Sequence, residues 1–318
     1  MMKGLRTLFC AGLLLLAACG PKKTKAPVVL TRDFPVAEIP MMVTDPQERM
    51  VWLCDHFWDR FTATDSLYYC DSVTVNGVPI LKLEEQVGTF ATLLDQVPLK
   101  QGMRSMELFY DSLEAFQQAN PAGNVLPETV ALASRYFYDP NSPVRNEDLY
   151  LPFVSRLAQS AIIREDYRAG YAWDAQMCAL NRIGTPAADF VFIDTAGKRR
   201  TLYGIKAKYT LLIFGNPDCH ACKELLETME SVPEISALIA DGSLRVVDIY
   251  IDDDIPLWME RMASYPKQWI NGYDPNHTIR EDLIYNVRAV PSLYLLDAGK
   301  TVLLKDALPE KVINALLY

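Results

Sequence analysis

The sequence predicts a two-domain α+β protein, in which an irregular all-α domain precedes an α/β domain with a central mixed sheet flanked by helices. Its length of 318 residues suits two ordinary domains better than one. Between residues 45 and 181, apolar residues recur at spacings of three and four, which is typical of helices with one buried face. From about residue 184, apolar runs typical of buried strands alternate with helical stretches.

Acidic residues outnumber basic ones, 40 against 31, and the formal net charge is -9 at pH 7. A nucleic-acid surface needs clustered Lys and Arg, and the sequence has no basic stripe with interleaved aromatic residues. We therefore expect no nucleic acid among its partners.

The N-terminus has the order of features found in secreted precursors. Lys3 and Arg6 precede an apolar run that is too short to cross a bilayer as a permanent helix. The run ends in Leu16-Ala17-Ala18-Cys19, which closely resembles the lipobox of bacterial lipoprotein precursors. The resemblance implies that residues 1–18 are a signal peptide and that Cys19 carries the lipid. An ordinary signal peptide with an incidental cysteine is the alternative.

A lipid on Cys19 predicts attachment to a membrane without a transmembrane helix. Residues 19–44 show no sustained period and contain several prolines, so we expect the lipidated cysteine and a tether there. Gly20 is not the Asp that retains lipoproteins at the inner membrane in enterobacteria. This favours the inner leaflet of the outer membrane, with the protein facing the periplasm.

The helical domain is predicted over residues 45–181. Asp45 is a plausible N-cap with Pro46 in the first turn, and Asn76-Gly77 suits the turn of a short hairpin. Two prolines between Tyr138 and Pro143 predict a break between helices. Helical patterns cover the following segments: a stretch from Asp45 through Phe61, 83–97, 106–116, about 127–137, and 146–181.

Three segments of the helical domain are distinctive: His56-Phe57-Trp58-Asp59, Asp139-Pro140-Asn141-Ser142-Pro143 and Arg145-Asn146-Glu147. Together they resemble a helical domain of unknown function that precedes thioredoxin-like domains in lipoproteins of Bacteroides-type bacteria. The resemblance covers about residues 40–175 and implies no chemistry.

The α/β domain is predicted over residues 184–318. Strands are expected at 189–194, 209–214 and 244–251, helices at about 220–231, 255–264 and 278–285, a hairpin at 292–296 and 301–304, and a last helix from about Pro309. This order resembles that of a thioredoxin fold.

The motif Cys219-His220-Ala221-Cys222 lies between a predicted buried strand and a helix. Two intervening residues on the first helical turn bring the sulfurs within bonding reach. The unpaired N–H groups and the dipole of the helix N-terminus favour a thiolate at Cys219, and a thiolate attacks disulfides. We expect Cys219 to be the nucleophile and Cys222 the resolving thiol. His220, if protonated, would stabilise the Cys219 thiolate further.

The second motif is Ala289-Val290-Pro291-Ser292. Thioredoxin-fold proteins carry a cis proline just before the hairpin, and the resemblance implies that Pro291 faces the two cysteines while the backbone of Val290 pairs with extended substrate. The spacing of the two motifs and the strand-turn opening at 189–202 resemble membrane-associated, periplasmic thioredoxins of the TlpA and ResA type. This resemblance covers about residues 184–318.

Two departures from that family bear on the redox chemistry. Asp218 replaces the Trp that precedes the first cysteine in thioredoxins, and its charge should oppose thiolate formation at Cys219. The strand before the motif, Leu211-Leu212-Ile213, lacks the buried acid that many members have. We therefore expect an altered redox potential.

Other interpretations of the cysteines remain open. Cys219 and Cys222 could form a permanent structural disulfide, but a zinc site is disfavoured because no second Cys or His pair completes four ligands. Cys54 and Cys70 could be bonded or could be small core residues, and Cys178 is expected in the core.

The leading functional hypothesis is an extracytoplasmic thiol-disulfide oxidoreductase, with reduction as the favoured direction. We expect no cofactor beyond the redox-active Cys219–Cys222 pair, and no metal. The expected partners are extracytoplasmic protein thiols and disulfides, an upstream membrane electron donor, and the membrane itself through Cys19. The alternative is a non-catalytic binding or scaffold lipoprotein with a degenerate thioredoxin domain.

Overall fold

A computed structural model describes residues 31–65 and 68–318. The predicted signal peptide, the lipidation site at Cys19 and residues 20–30 of the predicted tether lie outside these ranges. Among the described residues, no helix combines the length and apolarity needed to cross a membrane.

The chain before residue 45 already packs against the helical domain. The ring of Phe34 lies 5.5 Å from those of Trp58 and Phe61. Arg32 donates hydrogen bonds to the carbonyls of Asn76 and Phe61, at 2.9 and 3.0 Å. The packed part of the chain thus includes residues that the sequence placed in the tether.

The helical domain is built around an aromatic core in which Trp58 stacks on Phe109 at 4.3 Å, and Phe109 on Phe153 at 5.3 Å. Asp45 caps the first helix by accepting from the N–H groups of Gln47 and Glu48. The elements are α1 (Pro46–His56), β1 (Thr74–Val75), β2 (Val78–Pro79), α2 (Ile80–Leu94), α3 (Leu99–Ala119), α4 (Val125–Ala133) with a π-helical turn to Tyr138, α5 (Glu147–Gln159) and α6 (Glu165–Cys178).

The hairpin of β1 and β2 forms at the predicted turn. Asn76 and Gly77 both have positive φ, 48° and 80°, which matches a two-residue turn with both central residues in the left-handed region. The helical stretch predicted over 146–181 is two helices, separated by residues 160–164.

The second domain is a seven-stranded mixed sheet with helices on it, which confirms the predicted two-domain α+β fold. The strand order is β4-β3-β7-β6-β5-β8-β9, in which β5 pairs in parallel with β6 and antiparallel with β8. The elements are β3 (Val191–Asp194), β4 (Arg199–Thr201), β5 (Tyr209–Gly215), α7 (His220–Glu230), α8 (Pro233–Ala240), β6 (Leu244–Tyr250), α9 (Ile255–Arg261), β7 (Ile270–Tyr273), β8 (Ser292–Leu296), β9 (Val302–Leu304) and α10 (Pro309–Leu317).

Strand β5 lies inside the sheet, between β6 and β8, and is buried on both faces. Leu212 and Phe214 pack into one apolar cluster, while Leu211 and Ile213 pack into the other, against α7 and α10. The continuous apolar run that predicted a buried strand therefore reflects two covered faces.

One predicted element of this domain is wrong. Residues 278–285 form successive turns and not a helix. Asp274 accepts hydrogen bonds from the N–H groups of Asn276 and Ile279, and His277 and Leu283 have positive φ, which an α-helix does not tolerate. Strand β7 and helix α8 were not predicted.

A buried ion cluster joins the two domains. Glu147, at the start of α5, has its carboxylate oxygens 2.9 Å from Arg288 Nε and 2.8 Å from Lys305 Nζ. The side chains of Glu147 and Lys305 are each 1% exposed. Lys305 also donates to the carbonyls of Cys178 and Leu180, just at and beyond the end of α6, both at 2.7 Å. These charges are satisfied only when the domains are in contact.

Replacing Glu147 with Gln should lower the free energy of unfolding by about 3 kcal/mol, because buried Lys305 loses its carboxylate partner and Arg288 keeps only that of Asp306. The measurement is urea unfolding at neutral pH, with Glu165→Gln as the control at an exposed carboxylate. A loss as small as that of the control would show that the cluster does not hold the domains together.

Candidate active site

The two cysteines of the motif lie where β5 leads into α7. Cys219 is the N-cap of α7, and its Sγ accepts a hydrogen bond from the backbone N–H of Cys222 at 3.4 Å. The same Sγ lies 3.4 Å from the carbonyl oxygen of Val290, to which the thiol donates. Both cysteines are free thiols in this structure; Cys219 is half-exposed and Cys222 is buried. Cys219 is thus the more accessible of the two cysteines.

Pro291 follows the residue that contacts Cys219. The Val290–Pro291 peptide bond is cis, as the sequence predicts. Ser292, the first residue of β8, donates through its hydroxyl to Asp306 at 2.8 Å, which fixes the loop from the other side. Cys219, Cys222 and the Val290–Pro291 loop therefore meet at one place.

Cys222 cannot ionise easily where it lies. Burial raises the pKa of the Cys222 thiol, and the neighbouring Cys219 and Asp248 raise it further. A reaction that uses Cys222 as a nucleophile must therefore provide a group that takes its proton.

Asp248 is a buried acid beneath the motif, although the strand before the motif is apolar, as the sequence indicates. It lies on β6, the strand next to β5, paired with Ile213 in the sheet register. Burial raises the pKa of Asp248 from 3.8 to about 7. The signal that could have found it is a charged residue within the otherwise apolar run from Val246 to Tyr250.

The contact between the strands is close. A Cβ atom added to Gly215 would lie 2.8 Å from Asp248 Oδ1, closer than real Cβ contacts allow. Gly215, the last residue of β5, therefore gives the carboxylate its room below the motif.

The charge of Asp218 has a partner that the sequence did not reveal. Asp218 Oδ1 accepts from Arg261 Nε at 3.0 Å, and both side chains are half-exposed. The Asp218 carboxylate beside the motif is thus paired with a cation.

His220 points away from the cysteines. Its side chain is 88% exposed, and Nε2 lies 3.3 Å from a carboxylate oxygen of Glu224, one turn along α7. Within the described residues it makes no hydrogen bond to Cys219. Its proposed influence on the Cys219 thiolate stays a prediction.

The segment between β6 and β7 borders the motif. Asn216 donates to Asp252 at 2.6 Å, which ties the motif's loop to this segment. Burial raises the pKa of the Tyr265 phenol, and the nearby Asp248, Cys222 and Cys219 add to the rise. Tyr265 therefore belongs to the surroundings of the dithiol, although no sequence motif marks it.

The remaining cysteines of the described residues lie apart from this site. Cys54 and Cys178 are buried, and burial raises the pKa of both thiols, that of Cys54 to about 11. Cys70 is half-buried and accepts from the N–H of Asn76 at 3.3 Å. None of the three is in a disulfide. Across residues 31–65 and 68–318, no group of three or more His, Cys, Asp or Glu side chains is arranged to hold a metal ion.

Comparison with known families divides the chain as the structure does. Residues 17–173 match a domain of unknown function (DUF5106), and residues 199–318 match a thioredoxin-like domain. No curated protein matches the chain.

Solved structures resemble the whole chain or its second half. A thioredoxin-like protein from Bacteroides caccae is 34% identical, with a TM-score of 0.78, over 90% of this chain and 98% of that one. The C-terminal domain of a protein from Bacteroides fragilis is 43% identical, with a TM-score of 0.42, over 43% of this chain and 99% of that one. The thioredoxin domain of a thiol-disulfide oxidoreductase from Bacteroides vulgatus is 18% identical, with a TM-score of 0.38, over 42% of this chain and 95% of that one.

The raised pKa of Asp248 predicts how stability depends on pH. Between the ordinary Asp value of 3.8 and about 7, the folded protein keeps a proton that the unfolded chain has released. The free energy of unfolding therefore falls as pH rises through this window, by an amount on the order of 4 kcal/mol at most.

Asp248→Asn should remove this part of the pH dependence. Urea unfolding of the reduced protein, measured between about pH 5 and about pH 7.5, compares the slopes. The control is Asp282→Asn at an exposed position. Equal slopes for Asp248→Asn and the parent protein would contradict the raised pKa.

Proposed function

This chain belongs to the family of thioredoxin-like proteins represented by the Bacteroides caccae structure, and on that premise we propose that it is a thiol-disulfide oxidoreductase acting through Cys219 and Cys222. One observation carries the proposal. The half-exposed sulfur of Cys219 lies between the N–H of Cys222 and the carbonyl before the cis proline, each at 3.4 Å. A purely structural cysteine does not need an exposed sulfur facing a substrate-accessible backbone.

The first step is attack by the Cys219 thiolate on a disulfide of the substrate. The S–S bond of the substrate breaks, a new S–S bond forms between Cys219 and one substrate sulfur, and the other leaves as a thiolate that takes a proton. The N–H groups at the start of α7 stabilise the attacking thiolate.

The second step releases the substrate. Cys222 loses its proton and attacks Cys219 Sγ, so that the mixed disulfide breaks and the second substrate sulfur leaves with its electron pair. Asp248 in its ionised form takes the proton of Cys222, and its pKa of about 7 lets it hold that proton near neutral pH. The departing substrate thiolate takes a proton in turn. The substrate has gained two electrons, and the protein keeps a Cys219–Cys222 disulfide.

Continued turnover as a reductase requires a donor that returns two electrons to the Cys219–Cys222 disulfide. We assign this role to an upstream membrane partner, and the substrates are extracytoplasmic proteins with disulfides. Reduction is the favoured direction, and no cofactor beyond the cysteine pair takes part.

The location follows from the N-terminal sequence. The order of Lys3 and Arg6, the apolar run and Cys19 supports a lipoprotein anchored through Cys19 and facing the periplasm. Gly20, in place of the Asp that retains lipoproteins at the inner membrane in enterobacteria, supports attachment to the inner leaflet of the outer membrane.

Substitution of the two cysteines separates catalysis from a scaffold function. Cys219→Ser should reduce the reduction of a disulfide-bonded model protein to the background rate, because the nucleophile is gone. Cys222→Ser should accumulate a mixed disulfide with the substrate, visible as an added mass that a thiol reagent removes. The matched control is Cys70→Ser, which lies outside the site and should keep the parent rate.

If both variants keep the parent rate and no adduct forms, the protein is not an oxidoreductase, and the scaffold interpretation replaces it. Loss of activity in the Cys70→Ser control as well would indicate misfolding instead, which a circular dichroism spectrum of each variant detects.

The lipid anchor is tested in cells that express the full-length protein. Cys19→Ala should move the protein from the membrane fraction to the soluble fraction, while Cys10→Ala, in the apolar run, should leave it with the membranes. Membrane retention of Cys19→Ala would contradict the anchor and leave the cysteine chemistry untouched.

A further inference from the structure

A groove of about 570 Å³ runs between the two domains and opens beside the dithiol. Pro140 and Asn141 of the helical domain line one side. Ala221, between the two cysteines, and the Val290–Pro291 loop line the other. Because Val290 lines the groove and its carbonyl contacts Cys219 Sγ, a chain lying in the groove comes close to this sulfur. The volume is within the range of ligand sites in proteins.

The wall from the helical domain is held in place relative to the cis proline. Arg145 Nε donates to the backbone carbonyl of Asp306 at 3.0 Å and lies 3.3 Å from its carboxylate. The same carboxylate accepts from Ser292 at 2.8 Å and from Arg288 at 2.9 Å. Ser292 directly follows Pro291. The helical domain's loop and the cis-proline loop are therefore fixed by one shared acid.

The groove has an apolar floor and an acidic rim. Leu293 and Leu308 contribute apolar surface, while Glu224, Glu227 and Glu310 contribute carboxylates. The basic side chain in the lining is that of Arg145, which is 11% exposed and committed to Asp306. Glu224 faces His220 at 3.3 Å, whereas Glu227 and Glu310 form no ion pair within the described residues. A segment that lies in the groove therefore meets negative charge from Glu227 and Glu310.

We propose that this groove binds an extended, positively charged peptide segment adjacent to the substrate's disulfide, so that the helical domain forms part of the substrate site. This inference rests on the proposed function in taking the segment as part of a substrate of Cys219. It gives the helical domain a role in recognition, through the loop from Asp139 to Arg145.

Binding is measured separately from turnover. The probe is a short, dye-labelled peptide that carries several lysines and has serine in place of cysteine, and its partner probe has glutamate in place of each lysine. Fluorescence anisotropy with the full chain should show saturable binding of the lysine probe, at least about fivefold tighter than that of the glutamate probe, and weakening as salt is added. Equal affinity for the two probes, or no binding of either, would overturn the inference.

Two variants test whether the lysine probe binds in the groove. Glu227→Gln combined with Glu310→Gln should weaken the binding of the lysine probe by about fivefold, because each exposed carboxylate contributes a modest attraction. Asn141→Trp should remove saturable binding by filling the groove from the side of the helical domain. The controls are Glu107→Gln combined with Glu165→Gln, and Gln118→Trp, all at exposed positions of the helical domain outside the groove lining.

If the controls weaken binding as much as the groove variants do, the lysine probe binds the acidic surface in general and the groove has no special role. If Asn141→Trp does not fold, the carboxylate pair alone decides the question, since those substitutions are isosteric and exposed.

Turnover of hydroxyethyl disulfide, a small neutral substrate, separates this inference from the proposed function. Charge-selective peptide binding without any turnover would support peptide binding in the groove and contradict the proposed oxidoreductase function. Turnover without charge-selective peptide binding would support the proposed oxidoreductase function and contradict peptide binding in the groove.

Discussion

The pairing of Glu147 with Arg288 and Lys305 is the interaction on which the arrangement of both domains depends. Two cations and a carboxylate are removed from water there, and Glu147 and Lys305 lose their compensation when the domains separate, whereas Arg288 keeps that of Asp306. Arg288 lies two residues before Val290, so the loop beside the dithiol is held by the same contact that joins the domains. Lys305 also donates hydrogen bonds to the carbonyls of Cys178, at the end of α6, and Leu180, just beyond it. A shift of the helical domain would therefore disturb the cis-proline loop directly.

The second constraint is the buried carboxylate of Asp248, which is unfavourable for folding and useful for exchange chemistry. Burial raises the pKa of Asp248 to about 7 and raises that of the Cys222 thiol as well. Neither group ionises readily alone, but a proton can pass between such groups near neutral pH at less cost than to an ordinary carboxylate. Gly215 leaves the space that brings the acid below the motif. Burial of Asp248 thus lowers the free energy of unfolding at the proposed active site, and strongly shifted pKa values are typical of functional sites.

Much of this structure could be predicted from the sequence, for reasons that are local. The position of Cys219 at a helix N-terminus, the proline at 291, the Asn76-Gly77 hairpin and the two-domain order all follow from short patterns. Asp248, Arg261 and Tyr265 could not be found in that way, because their proximity to the motif depends on the pairing of β5 with β6 and on the segment that follows β6. The failed helix at 278–285 has a similar cause. Its residues have acceptable helix propensity, but Asp274 binds the backbone in turns instead.

The central claim is that Cys219 and Cys222 form a reversible dithiol-disulfide pair, and its reduction potential tests this most directly. The full chain is equilibrated over a series of thiol-disulfide buffers and quenched, and the fraction of Cys219–Cys222 disulfide is read from peptide masses. We expect one two-electron transition between about -300 and about -120 mV, the span of thiol-disulfide oxidoreductases. A bond that stays intact below about -300 mV would identify a structural disulfide, and cysteines that never pair would remove the chemistry altogether.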